Sequence, residues 1–216
     1  MMEVQATTPT WSRVLIFFAR LFSILLHPLL VGVFAMFYLV FIHPEYFISM
    51  DARARLFKFF TFANNNFILP LLVVLLLRGL GFSKSIYLRT QKERIIPYIA
   101  CITFFFWTFY VFKNQPETPQ IVVDLCQGMF LSSCISLILN NYFKISMHAI
   151  AMGGILGVMV SMVFEAEAYS AWPIIITLIL TAVVCSSRKI ASDHSWFDII
   201  AGLCTGFLMQ GIAWWL

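Results

Sequence analysis

The sequence predicts an all-α fold, a polytopic bundle of six to seven membrane-crossing helices. Three observations point there. Of the 216 residues, 61% are hydrophobic and 11% charged, less than half the roughly 25% charge of an ordinary soluble domain. Apolar runs near the roughly 20 residues that a bilayer-crossing helix needs recur along the whole chain. Twenty-three Phe and six Trp supply lipid-facing and interfacial surface. Together these exclude a disordered tail, a coiled coil and an ordinary cytosolic domain.

The runs span residues 14–42, 56–80, 95–112, 121–139, 145–164, 169–186 and 197–216. No internal repeat or low-complexity stretch separates them. Residues 1–216 therefore read as one integral membrane domain, with two N-terminal spans in 1–80 and the chemistry-bearing part in 81–216. The first run starts near Val14 and is too long for a signal-peptide core, so it is expected to remain as a helix. Pro28 should kink it. His27, beside that proline, reads first as a side chain that satisfies the loosened backbone, with a functional role as the alternative. Asn64-Asn65-Asn66 are three consecutive amides in an apolar run. They either line a polar cavity or mark a break before Pro70. Trp214 and Trp215 close the last run as interface anchors. The five cysteines lack CxxC spacing and read as small packing residues. The net charge of +4 is too scattered to track phosphates along a nucleic acid, so no nucleic-acid partner is expected.

Seven spans place the N-terminus and the segments 81–94, 140–148 and 187–197 on one side of the membrane. Those three segments hold nearly all the residues with chemical potential. Lys and Arg near the span ends divide nine to four in favour of that side being cytoplasmic. Setting aside Arg89, Lys92, Arg94 and Arg188 as phosphate ligands leaves five to four, which does not orient the chain. A bacterial inner (cytoplasmic) membrane is the expected location.

The most informative stretch runs from Ser187 to Asp198. His194 and Asp198 are four apart at the start of the last helix and so share a face. A carboxylate one turn away can hold one imidazole nitrogen and leave the other as a nucleophile. Arg188, on the same connection, can fork onto phosphate oxygens. Arg89, Lys92 and Arg94 cluster at a helix entrance, which suits a dianionic phosphate but equally suits a positive-inside cluster.

Ser187-Arg188, five residues, His194, three residues, Asp198 reproduces without a gap the third signature motif of the type 2 phosphatidic acid phosphatase superfamily, and the chain resembles that family from residue 84 to 205. Ser146-Met147-His148 resembles the family's Ser-Gly-His motif, with Met147 in place of glycine and Ile145 in place of proline. The family's first motif, a lysine, six intervening residues, then Arg-Pro, has only an echo in Arg94 and Pro97, with Lys92 and Arg89 nearby. The resemblance implies an integral membrane phosphatase acting on a lipid phosphate or pyrophosphate. His194 would form a phosphohistidine, oriented by Asp198. His148 would protonate the leaving group. Arg188, Ser146, Arg94, Lys92 and Arg89 would bind phosphate. No metal or other cofactor is expected, because guanidinium and ammonium groups supply the charge and no carboxylate cluster suits magnesium.

Two other readings compete. A lipid-to-lipid phosphotransferase differs only in the acceptor. A small transporter would use His148, His194, Asp198 and the three asparagines as a polar path, and would leave the spacing of the third motif as coincidence.

Overall fold

The computed structural model describes residues 11–82, 90–165, 170–192 and 194–216, and among them the regular structure is helical. The α-helices are α1 (Arg13–Leu25), α2 (Pro28–Phe37), α3 (Ala52–Ala63), α4 (Leu69–Gly79), α5 (Gln91–Lys113), α6 (Gln120–Leu139), α7 (Met147–Glu165), α8 (Trp172–Ala191) and α9 (Trp196–Trp215). Helices α3 and α4 join through one wide π turn, Asn64–Ile68, into a continuous span Ala52–Gly79. That span and the helices α5 to α9 make six stretches long and apolar enough to cross a membrane, or seven if α1 and α2 form one bent span. The chain is an integral membrane protein.

The run expected over 14–42 is bent by 57° between α1 and α2. Pro28 is the cause. It opens α2 without a backbone N–H and holds the residue before it out of the helical region, so His27 is extended at φ −61° and ψ 139°. The expected kink is thus a full break. The N–H of His27 turns to the Ile24 carbonyl at 3.3 Å instead of the Ser23 carbonyl that an unbroken helix would give it. Ser23 keeps its carbonyl for another donor.

Asn64, Asn65 and Asn66 neither break their span nor line the main cavity. The π turn absorbs the strain ahead of Pro70 without interrupting the helix. The buried Asn66 amide donates to the Phe62 carbonyl at 2.9 Å and to Thr108 Oγ1 at 3.3 Å. Its Nδ2 is thus met by the preceding turn and a neighbouring helix, while its Oδ1 is buried without a partner among the described residues.

Helices α7 and α9 make the closest helix pairing. Gly153 and Gly157 on α7 face Gly202 and Gly206 on α9, small residues four apart on both helices. A Cβ on Gly206 would lie 1.9 Å from the Ile150 carbonyl oxygen, and one on Gly153 would lie 2.1 Å from the Leu203 oxygen. Backbone therefore rests on backbone, and the start of α7 is drawn onto the start of α9. The Ser146 N–H donates to the Asp198 carbonyl at 3.2 Å. At the far end of the bundle, Met36, Phe47, Phe62, Phe112 and Ile121 form the fully buried apolar core. The end that carries the motifs is polar.

Candidate active site

Three helices begin at this polar end, each with a side-chain cap. Thr90 and Glu93 form a reciprocal capping box at the start of α5. Ser146 Oγ accepts the Ala149 N–H at 3.5 Å at the start of α7. Ser195 and Asp198 form a second capping box at the start of α9. Gln91 and Asn140 exchange hydrogen bonds, Nε2 to carbonyl at 2.5 Å and Nδ2 to carbonyl at 3.0 Å, and so tie α5 to the end of α6. Helices α5 and α6 lie between the first and second motif segments, and α7 and α8 between the second and third. An even number of spans brings all three segments to one end, however α1 and α2 lie in the membrane.

His194 is buried at the mouth of α9. Its Nδ1 lies 2.9 Å from the Lys144 carbonyl oxygen. A carbonyl only accepts, so Nδ1 carries the proton and donates, and Nε2 keeps its lone pair. Burial first, then the charges of Arg188, Arg94 and Lys144, push His194 down to about 4, with Asp198 opposing. The ring is neutral and nucleophilic across the physiological range.

Asp198 is placed differently from the expectation. Its Oδ2 accepts the Ser195 N–H and the Ser195 hydroxyl, both at 2.7 Å, and the Lys144 carbonyl holds the imidazole in its stead. Spacing i to i+4 puts the two residues on one face, but His194 precedes the first turn of α9. There, ahead of the extended N-cap Ser195, the ring meets the α6–α7 connection at Lys144. Asp198 acts on His194 through space and stiffens the helix start.

Arg94 is buried on the first turn of α5, and its guanidinium donates to the Ile145 carbonyl at 3.1 Å. Arg188 lies on the last turn of α8, where the helix dipole favours a cation. Its Nε is buried without a hydrogen-bond partner among the described residues. A buried donor of that kind calls for an acceptor, and no carboxylate within salt-bridge distance supplies one among the described residues. Arg188 is within electrostatic reach of His148, His194, Arg94 and His27. His148, on the first turn of α7, donates from Nε2 to the Ser23 carbonyl at 2.9 Å, the group freed by the break at Pro28.

Most of the expected site residues thus converge: His148, Arg188, His194, Asp198, Ser146 and Arg94. The Ser146 backbone N–H donates to the Asp198 carbonyl, and its Oγ accepts in the helix cap while its O–H remains a donor. The next backbone donors, of Met147 and His148, have no partner among the described residues, as the first donors of a helix do not. Lys92 is exposed and has no ion pair or side-chain hydrogen bond among the described residues. It points away because it lies two positions, about 200° around the helix, from Arg94. Arg89 lies outside the described residues. The Lys144 and Ser23 carbonyls went unread, since a backbone acceptor leaves no mark in a sequence. His27 does cap the loosened backbone as expected, its Nδ1 accepting the Leu29 N–H at 3.4 Å. It also packs edge-on against His148, with ring centroids 5.7 Å apart.

Beside this cluster lies a cavity of about 490 Å³, lined mainly by apolar residues of α1, α2 and α4 to α7, among them Ile24, Pro70, Pro97, Met129 and Ile150. Among the described residues, no three His, Cys, Asp or Glu side chains group as metal ligands.

The comparisons with known proteins agree with the geometry. The model of the PAP2 superfamily matches residues 67–216, from the π turn to the C-terminus and so across every motif-bearing helix. No curated protein and no solved structure matches. Members of the matched family are generally phosphatases, and with a match over more than half its length, this chain belongs to the PAP2 superfamily.

Proposed function

We propose that the protein hydrolyses a lipid phosphate or pyrophosphate within the membrane through a phosphohistidine on His194. The observation that carries this reading is the fixed tautomer of His194. Its Nε2 lone pair is presented among Arg188 and Arg94, with an apolar cavity alongside. Nε2 attacks phosphorus, the N–P bond forms and the bond from phosphorus to the leaving oxygen breaks. Arg188 and Arg94 neutralise the equatorial oxygens. His148 gives the leaving oxygen its proton. Water then attacks the phosphohistidine, His148 takes the water proton, and phosphate leaves with His194 restored.

The cavity takes the apolar part of the substrate. Its volume of about 490 Å³ falls within the range of small-molecule pockets.

The test is phosphate release from a panel of detergent-solubilised lipid phosphates by purified protein in the presence of EDTA. The expected result is turnover that His194→Ala lowers by about 10⁴-fold or more, with the helical content and thermal transition retained. Wild-type protein quenched in alkaline detergent should carry phosphate that is stable to base and released by acid. Full activity in a folded His194→Ala protein overturns the reading. Phosphate that moves onto an added lipid alcohol instead of water selects the phosphotransferase.

A further inference from the structure

Of the histidines and arginines in the cluster, His27 alone also lines the apolar cavity. Its ring lies between the residues that hold phosphate and the space for the lipid body. In a lipid phosphate, the atom between phosphorus and the apolar body is the leaving oxygen. We propose that His27 is a third histidine of the site and donates a hydrogen bond from Nε2 to the leaving oxygen. This rests on the phosphatase reading above.

The local structure prepares His27 for that task. Its Nδ1 accepts the Leu29 N–H, so in the neutral ring the proton sits on Nε2. A neutral imidazole of fixed tautomer is a hydrogen-bond donor and does not surrender its proton. The net proton for the leaving group still comes from His148, whose ring His27 touches edge-on at 5.7 Å. The two histidines divide the work: His148 supplies the proton, and His27 stabilises the charge that builds on the leaving oxygen before the proton arrives. The break at Pro28 serves both. It places His27 at the cavity mouth and frees the Ser23 carbonyl that fixes His148.

Donors of this kind matter most when the leaving group is a poor one. An alkoxide needs the help, and a nitrophenolate does not. The experiment therefore compares dodecyl phosphate with 4-nitrophenyl phosphate, using two variants that fail structurally in opposite ways. His27→Ser keeps a capping oxygen for α2 but removes the ring. His27→Phe keeps the ring against His148 but removes the cap. Each should lower kcat on dodecyl phosphate by about 10- to 100-fold, change kcat on 4-nitrophenyl phosphate by less than about threefold, and leave KM nearly unchanged. Equal losses on the two substrates, a loss in only one of the variants, or no loss in either overturns the role of His27. Wild-type protein that releases phosphate from neither substrate nor from any lipid phosphate or pyrophosphate of the panel overturns the phosphatase reading itself, and the role of His27 with it.

Discussion

Helices α7 and α9 on one side of the site and the broken pair α1 and α2 on the other are held by opposite means. The first pair meets backbone to backbone at three glycines, Gly153, Gly202 and Gly206, so the distance between the second and third motifs leaves little room for side-chain adjustment. The second pair reaches the site through a defect in its own helix. It offers one freed carbonyl and one histidine, while Val14, Phe17 and Ile24 on α1 stay exposed, as lipid-facing residues do. The first pair lies wholly inside the family match, and α1 and α2 lie before it. The difference teaches a division of labour. On the proposed mechanism, the glycine-packed half fixes the groups that act on phosphorus, and the broken half meets the part of the substrate that varies.

The comparison sharpens most at Arg94. Arg94→Ala should lower kcat by about 10²- to 10³-fold, to the same extent for alkyl and aryl phosphates, because the charge it meets belongs to phosphorus. Lys92→Ala, on the exposed side of the same turn, should stay within about threefold. Matching losses for the two variants would return Lys92 to the site and break the assignment of the first motif.

A smaller effect is expected at Asp198. Asn retains an acceptor for Ser195, and the Lys144 carbonyl still holds the tautomer of His194. Asp198→Asn should therefore lower kcat about tenfold, far short of the about 10⁴-fold seen where the carboxylate itself sets the tautomer. The pH profile provides a signed check. Activity needs neutral His194 and is lost as pH falls through about 4. The Asp198 charge favours the protonated ring, so its removal should move this acid limb to lower pH. A loss near 10⁴-fold would show that Asp198 holds the imidazole after all, and a limb that moves upward would contradict the sign of its charge.

The smallest expected effect is on stability alone. Gly206→Leu forces a side chain into the α7–α9 contact, where even a Cβ sits 1.9 Å from a carbonyl oxygen. It should lose about 1–3 kcal/mol or more, read as a fall of several degrees in the thermal transition of the detergent-solubilised protein. Gly154→Ala, one position from Gly153 but with nothing within 4 Å of its Cβ, should leave the transition unchanged or raise it. Equal behaviour of the two would deny that glycine contact sets the spacing of the motifs.

Much of this protein is written locally. The membrane class, the spans and their even spacing follow from runs of apolar residues, because transfer from water to hydrocarbon is additive along a helix. The third motif is legible for a similar reason. Arg188, His194 and Asp198 lie close together in the chain, and their types already match the chemistry of phosphate. Pro28 likewise announces a bend, since it acts on the residue directly before it. The partners of those residues were settled only when the helices packed. That His194 is held by a carbonyl 50 positions away, His148 by one 125 positions away, and that Asp198 turns to Ser195 instead, depends on backbone acceptors that every residue possesses and no residue type marks. The same holds for Arg94 over Lys92, which the face of α5 turned toward Ile145 in the α6–α7 connection decides, and for His27, whose place beside His148 exists only because α1 and α2 fold back against α7 and α8. Composition and spacing act along the chain; hydrogen bonds between its distant parts form where packing brings a donor to a free carbonyl, and that is a property of the bundle.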